Sequence, residues 1–87
     1  MKYRVFWTPD AERELDEILE ASADFIVVGT AAKELDRQLI SNPYDVGESR
    51  DRGTRVGFVR PLAVQYEVMD DVATVIVFGV WRTDRQR

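Results

Sequence analysis

Four arginines lie close together between residues 50 and 60, at Arg50, Arg52, Arg55 and Arg60. The C-terminal half is the basic part of the chain: residues 50 to 87 hold 7 Arg against 5 Asp or Glu, whereas residues 1 to 49 hold 5 Lys or Arg against 11 acids. A local concentration of guanidinium groups favours negatively charged partners. Recognition or chemistry is therefore expected first on this stretch.

A structural explanation of the same arginines stays open. Charged residues in a loop and on an edge strand protect a sheet against pairing with other chains, without any further role. Arg82 follows a long apolar run, and positions that flank a rigid strand are common sites of function. Arg85 lies in the last residues of the chain, where a disordered tail is the alternative.

Length and composition exclude several classes of protein. At 87 residues the chain is one domain, 1–87, because single cores divide only above about 250 residues. The sequence has no Cys and no His, so thiolate nucleophiles, imidazole bases and the usual zinc ligands are excluded, and we expect no metal and no cofactor. The net charge of −4 argues against general affinity for nucleic acid. No apolar run reaches the length of about 20 residues that spans a bilayer, and we expect a cytoplasmic protein without a membrane partner.

The N-terminal half predicts one strand followed by two helices. Residues 3–7 are aromatic and β-branched, which is typical of a short strand, and Thr8 and Pro9 then form a helix start as N-cap and first helical residue. Two apolar stripes at helical spacing follow, separated by a second capping site at residues 22–24. The first stripe contains Ala11, Leu15, Ile18 and Leu19, and the second contains Phe25, Val28, Ala32, Leu35 and Leu39.

The C-terminal half predicts a sheet. Residues 42–53 contain two glycines and a proline and are expected to form the one long connection. Three β-patterned runs follow at 55–59, 62–69 and 72–81, the last apolar on both faces and therefore expected near the centre of the sheet and covered on both sides. Tyr66 alternates in phase with Leu62 and Val64, which predicts a core position. The fold class is α+β: a strand, a helical hairpin, then a three-stranded antiparallel meander, with the helices packed on one sheet face.

Three stretches of the sequence resemble the RelE/ParE superfamily of bacterial type II toxins. Residues 3–15 resemble its opening strand and helix, and residues 35–50 resemble its leucine, Pro, Gly and Arg pattern before the sheet. Residues 66–82 are similar to its final hairpin, ending at Arg82. The resemblance implies a growth-inhibiting toxin that a cognate antitoxin neutralises by direct binding, with DNA contacted only through the antitoxin.

The resemblance leaves two cellular targets open. RelE-type toxins cleave messenger RNA on the ribosome with basic residues of the sheet, commonly including an arginine in a Tyr-Arg-x-x-Tyr run. Here Leu62 and Ala63 replace the first tyrosine and the arginine, while Tyr66 remains. ParE-type relatives instead inhibit DNA gyrase, which requires a recognition surface and no catalytic set. A third hypothesis is a non-toxic binding module that has lost its catalytic residues.

The site residues implied by these hypotheses fall into two groups. For a nuclease, Arg55, Arg60 and Arg82 are the candidates that would stabilise the charge of the transition state, and no residue is evident that would activate the 2′-hydroxyl. For binding of a partner protein, the candidates are Arg50, Arg52, Trp81 and Arg85. The acidic, amphipathic segment expected of an antitoxin would complement such an apolar and basic surface.

Overall fold

The computed structural model describes residues 2–49 and 53–84, which form five strands and three helices. The elements are β1 (Arg4–Trp7), α1 (Pro9–Ala21), α2 (Phe25–Ser41), α3 (Pro43–Val46), β2 (Gly47–Ser49), β3 (Thr54–Val59), β4 (Leu62–Met69) and β5 (Thr74–Arg82). A 3-10 turn, Asp70–Val72, joins β4 to β5. Within the described ranges, no helix has both the length and the apolar character needed to span a membrane.

All five strands belong to one sheet, in the order β1-β5-β4-β3-β2. Strands β3, β4 and β5 form an antiparallel meander, and β2 adds to β3 in the antiparallel sense. β1 pairs with β5 in parallel, with Phe6 opposite Ile76. The expected α+β class and meander are confirmed, and the sheet is larger than expected because the strand β2 was not foreseen.

The two long helices pack on one face of the sheet because each carries an apolar stripe. Thr8 caps α1, its hydroxyl accepting a hydrogen bond from the Ala11 N–H at 3.1 Å, as the sequence predicts. The fully buried core joins helix residues such as Val28 and Leu35 to strand residues such as Tyr66. The predicted core position of Tyr66 is therefore confirmed.

The prediction of one long connection over residues 42–53 is wrong. Pro43 occupies the first turn of the short helix α3, where its missing N–H costs nothing, and Gly47 begins β2. Gly47 lies opposite Gly57, and a Cβ atom on Gly47 would lie only 2.0 Å from the Val56 carbonyl oxygen. Glycine therefore permits the close approach by which this segment joins the sheet.

The expectation that the last strand is covered on both faces is also wrong. On β4, Tyr66 pairs with Val77 and Gln65 pairs with Gly79, so Phe78 between them has no partner and forms a β-bulge in β5. Val75 and Val77 before the bulge and Val80 after it are buried, whereas Trp81 is 41% exposed. β5 does lie inside the sheet, between β1 and β4, but the described helices cover one face only.

Candidate functional site

Arg55 lies on the helix-facing side of β3 and binds main-chain carbonyl groups. One Nη atom donates to the carbonyl oxygens of Gly47 at 2.8 Å and Tyr44 at 3.1 Å, and the guanidinium lies 5.0 Å from the centre of the Tyr44 ring. The Nε atom is buried and has no hydrogen-bond partner among the described residues. These contacts hold the corner between α3 and β2, and the catalytic role of Arg55 stays a prediction.

Arg82 is held by carboxylates at the end of β5. It donates to Asp24 at 2.8 Å, to Asp84 at 2.8 Å and to the Ser22 hydroxyl at 2.9 Å, and its side chain is 12% exposed. Hydrogen bonds to Asp84 and then Asp24 raise the pKa of Arg82, and the same pairing lowers the pKa of Asp24. Asp24 precedes α2 as the sequence predicts, but its carboxylate binds Arg82 and caps no helical N–H.

Arg60 is the exposed member of the three arginines that were predicted as catalytic. It lies in the turn between β3 and β4 and lines a groove of about 360 Å³ with Ile26, Val27 and Glu34. It has no hydrogen bond or ion pair with any residue in the described ranges. Arg55 lies five residues away along β3, about 16 Å in an extended strand, so the three arginines do not converge on one point.

The sheet face away from the helices is apolar. Phe58, Ala63 and Trp81 lie side by side on β3, β4 and β5. Ala63 is fully buried, while Phe58 is 53% exposed and Trp81 41% exposed, and Phe6 on β1 is 59% exposed. We call this surface the outer face; it comprises Phe6, Phe58, Ala63, Ile76, Phe78 and Trp81. It carries aromatic rings at the place where the RelE resemblance implied an arginine.

Three of the residues predicted to bind a partner lie outside the described residues, namely Arg50, Arg52 and Arg85. Trp81, the fourth, lies on the outer face, and its role stays a prediction. Of the predicted catalytic set, the structure brings Arg60 and Arg82 to the same end of the sheet, because Leu62 follows the Arg60 turn and pairs with Arg82. Arg55 lies toward the other end of β3.

A cluster around Asp70 was not predicted from the sequence. The hydroxyl groups of Tyr3 and Tyr44 donate to the two oxygens of the Asp70 carboxylate, at 2.8 and 2.5 Å. These hydrogen bonds raise the pKa of Tyr44 to about 12 and lower the pKa of Asp70. The three residues are 26 to 67 positions apart, so no local pattern could indicate the cluster.

The shifted pKa values among the described residues move away from the range that acid–base catalysis uses. A general acid or base works best with a pKa near the pH of the reaction. Here the carboxylates with perturbed values move away from neutrality: hydrogen bonds from Arg37 and Gln38 lower the pKa of Glu34 to about 2. Burial raises the pKa of the Tyr66 hydroxyl, which donates to the Pro43 carbonyl oxygen at 2.6 Å. None of these groups has a pKa in the range that suits a base accepting a proton from a ribose 2′-hydroxyl.

Solved structures with a similar fold include complexes of toxin–antitoxin systems. The chain is similar to one in the RelBE2 toxin–antitoxin complex of Mycobacterium tuberculosis, with a TM-score of 0.77, 24% identity, and coverage of 94% of this chain and 99% of that chain. It is also similar to a chain of a ParDE system of P. aeruginosa, with a TM-score of 0.73, 16% identity, and coverage of 95% of this chain and 98% of that chain. For the E. coli RelBE complex the TM-score is 0.68 and the identity 20%, with coverage of 95% of this chain and 99% of that chain.

No family model matches the sequence, and no curated protein matches it. The chain nevertheless has the RelE/ParE fold over nearly its whole length, in agreement with the resemblance found in the sequence. At these identities the likeness establishes the fold, and a fold does not determine a function.

Proposed function

We propose that this chain is the toxin component of a type II toxin–antitoxin system and that a cognate antitoxin neutralises it by direct binding. The observation that carries the proposal is the shared fold, which covers 94–95% of the chain in structures of RelBE2, ParDE and RelBE. The outer face supports it further, because half-exposed aromatic side chains next to one another are typical of protein-binding surfaces.

We also propose that the toxin acts by binding a protein target and not by cleaving RNA. DNA gyrase is the target that the ParE resemblance implies. Two observations support this: Arg55 and Arg82 are occupied by carbonyl and carboxylate groups, and the outer face offers aromatic rings. Cleavage of RNA would require free cations and a group that activates the 2′-hydroxyl, close to one another.

Two other functions have one supporting observation each. Ribosome-dependent cleavage of messenger RNA is favoured by Arg60, which is exposed and unpaired within the described residues. A non-toxic binding module is favoured by Ala63, which lies between Phe58 and Trp81 at the position where RelE-type enzymes commonly have an arginine.

Induced expression in a bacterium tests the toxin role. The expected result is growth arrest while the chain stays soluble, and normal growth with soluble, folded protein would refute both toxic functions. The matched variants are the pair Phe58→Ser and Trp81→Ser on the outer face, and the pair Phe25→Ser and Ile26→Ser, which are 56% and 72% exposed at the start of α2.

Both pairs remove two exposed apolar side chains, so both should fold. If the outer face binds the target, the first pair relieves the growth arrest and the second does not. Equal toxicity of the two variants would refute binding of the target by the outer face.

A further inference from the structure

The first turn of α2 carries apolar side chains that the fold does not bury. Phe25, Ile26 and Val27 are each more than half exposed. Val28, the next residue, is fully buried and joins the core. A helix that packs on a sheet normally has polar side chains on the side that faces the solvent. Single exposed apolar residues are common, whereas adjoining ones indicate a binding surface. The packing of α2 on the sheet does not account for this group.

A groove lies beside these residues, between α2 and the turn that joins β3 to β4. Its volume is about 360 Å³. Along the helix it extends from Ile26 to Glu34, which corresponds to about 12 Å or two helical turns. We call it the α2–turn groove; its lining includes Ile26, Val27, Ala31, Glu34, Val59 and Arg60. Both α2 and β3 therefore contribute apolar side chains to it.

The walls of this groove favour a helical occupant over an extended one. Beyond its first turn, α2 uses its main-chain groups in its own hydrogen bonds, and Val59 of β3 pairs with Leu62. In the described part of the chain these walls give an extended segment no row of main-chain groups to pair with, and its own N–H and C=O groups would lose water without compensation. A helix satisfies its own main-chain groups and packs its side chains between those of α2.

The charge that the groove leaves without a partner is positive. Among the described residues of its lining, Glu34 and Arg60 are the ionised ones. Glu34 accepts hydrogen bonds from Arg37 and Gln38, whereas Arg60 has no hydrogen bond or ion pair with any described residue. α2 also begins without a side-chain cap, since Asp24 binds elsewhere, and the positive end of its dipole favours a carboxylate. An acidic occupant would be complementary to these groups.

The size and the charge of the surface favour a segment of another protein over a second copy of this chain. An aromatic side chain buries about 150–250 Å², so three roughly half-exposed side chains of that size or smaller supply on the order of 300–400 Å². A stable dimer needs about 800 Å² from each partner. In a twofold dimer the groove would also face itself. Arg60 would then meet Glu34, whose carboxylate Arg37 and Gln38 already bind.

We propose that the α2–turn groove binds an acidic amphipathic helix of a partner protein. The apolar face of that helix would cover Ile26, Val27 and Val59, and a carboxylate at its edge would pair with Arg60. The site is separate from the outer face, because Val59 lies on the helix side of β3 and Phe58 on the other. The inference goes beyond the proposed function, and the chemistry of the site does not require the chain to be a toxin.

Titration of the ¹⁵N-labelled chain with peptides tests the site. The probe is a blocked 18-residue peptide with Leu at helical spacing and Ala and Glu elsewhere, and the control has Lys in place of Glu. At up to about 1 mM of the Glu peptide, the amides of Ile26, Val27 and Arg60 should shift, and the peptide should gain helix in circular dichroism. The Lys peptide should bind at least about fivefold more weakly.

The sign of this preference is informative, because the chain has a net charge of −4. Non-specific attraction would favour the Lys peptide, so a preference for the Glu peptide reports the local charge of the groove. Equal responses to both peptides, a preference for the Lys peptide, no response to either, or shifts confined to Phe58 and Trp81 would overturn the proposal.

Two pairs of variants separate the apolar contact from the charge. Val27→Ser and Val72→Ser each remove a half-exposed valine, but only Val27 lines the groove, and Val27→Ser alone should weaken binding of the Glu peptide by about fivefold. Arg60→Ala and Arg4→Ala each remove an exposed cation, and only Arg60 lines the groove. Arg60→Ala should weaken binding by about threefold and remove its salt dependence, whereas Arg4→Ala should do neither. Equal effects within either pair would contradict the site.

The outcomes distinguish this proposal from the proposed function. A chain that arrests growth but whose Ile26 and Val27 amides ignore the Glu peptide would refute the groove and leave the toxin role standing. A chain that binds the Glu peptide there without arresting growth would retain the site and refute the toxin. A short RNA that shifts these amides when the Glu peptide does not would overturn the proposal in favour of nucleic acid. A dimer in sedimentation that Val27→Ser abolishes would overturn it in favour of a second copy.

Discussion

The Tyr66 hydroxyl group offers a quantitative test of the way the sheet holds the segment after α2. Tyr66 is the largest fully buried side chain among the described residues, and its hydroxyl donates to the Pro43 carbonyl oxygen, 23 positions earlier, at 2.6 Å. Tyr66→Phe keeps the ring in the core and removes this hydrogen bond, together with the interactions of the hydroxyl with Arg55 and with the Gly47 main chain. The carbonyl group of the buried Pro43 then loses its donor.

The size of the effect follows from these contacts. A typical hydrogen bond contributes about 1 kcal/mol net, and a buried acceptor left without a donor adds a desolvation cost, so we expect a loss of about 1–2 kcal/mol in the free energy of unfolding. In a domain of this size each kcal/mol lowers the melting temperature by about 4–8 °C. The expected shift is therefore about 5–15 °C.

Thermal and urea unfolding followed by circular dichroism would measure this loss, with Tyr3→Phe as the matched control. The Tyr3 hydroxyl also donates to a single acceptor, but that bond is exposed, and its removal should change the midpoint much less. Equal shifts for the two variants, or no shift for Tyr66→Phe, would refute the buried bond. Loss of growth inhibition by a folded Tyr66→Phe chain would contradict its purely structural role.

The remaining predictions use other features of the fold. Gly29→Ala should stabilise the chain by up to about 1 kcal/mol, since an added Cβ in mid-helix would meet no atom within 4 Å beyond its chain neighbours and the backbone of its own helix. At Gly57 the same change meets a Val46 methyl group at 2.6 Å and should destabilise the chain. Urea unfolding midpoints of the two variants would compare these effects. In alkaline titration of tyrosinate absorbance, Tyr44 should ionise near pH 12, and Asp70→Asn should bring its pKa down. Because this raised pKa belongs to the folded state, its contribution to stability is complete below pH 10 and declines toward pH 12. A Tyr44 that ionises near pH 10 would contradict the Asp70 hydrogen bond.

The parts of the fold that the sequence predicted are those set by local patterns. The cap at Thr8, the two helical stripes and the alternation of β3 and β4 are each encoded within one window of at most about 18 neighbouring residues. β2 was missed because Gly47–Ser49 has only three residues and no apolar periodicity, and its pairing with β3 alone makes it a strand. The bulge at Phe78 also depends on register with β4, so the exposure of Trp81 could not be foreseen.

The site was predicted less well, for a related physical reason. The sequence shows that Arg55 and Arg82 are cations, but it does not show which groups bind their guanidinium groups. The partners of Arg55 are carbonyl groups 8 and 11 positions away, and Asp24, which binds Arg82, is 58 positions away. Only the assembled sheet and helices bring these groups together, and the functional roles of Arg55 and Arg82 stay predictions.

The central proposal is that this chain is a toxin that acts on a protein and not on RNA. The most direct test adds the purified chain to a gyrase supercoiling reaction, with ribosome-bound messenger RNA treated in parallel. The account predicts inhibited supercoiling, weakened by the outer-face pair Phe58→Ser and Trp81→Ser, and intact messenger. Cuts at defined codon positions, lost in Arg60→Ala, together with unaffected supercoiling, would contradict it.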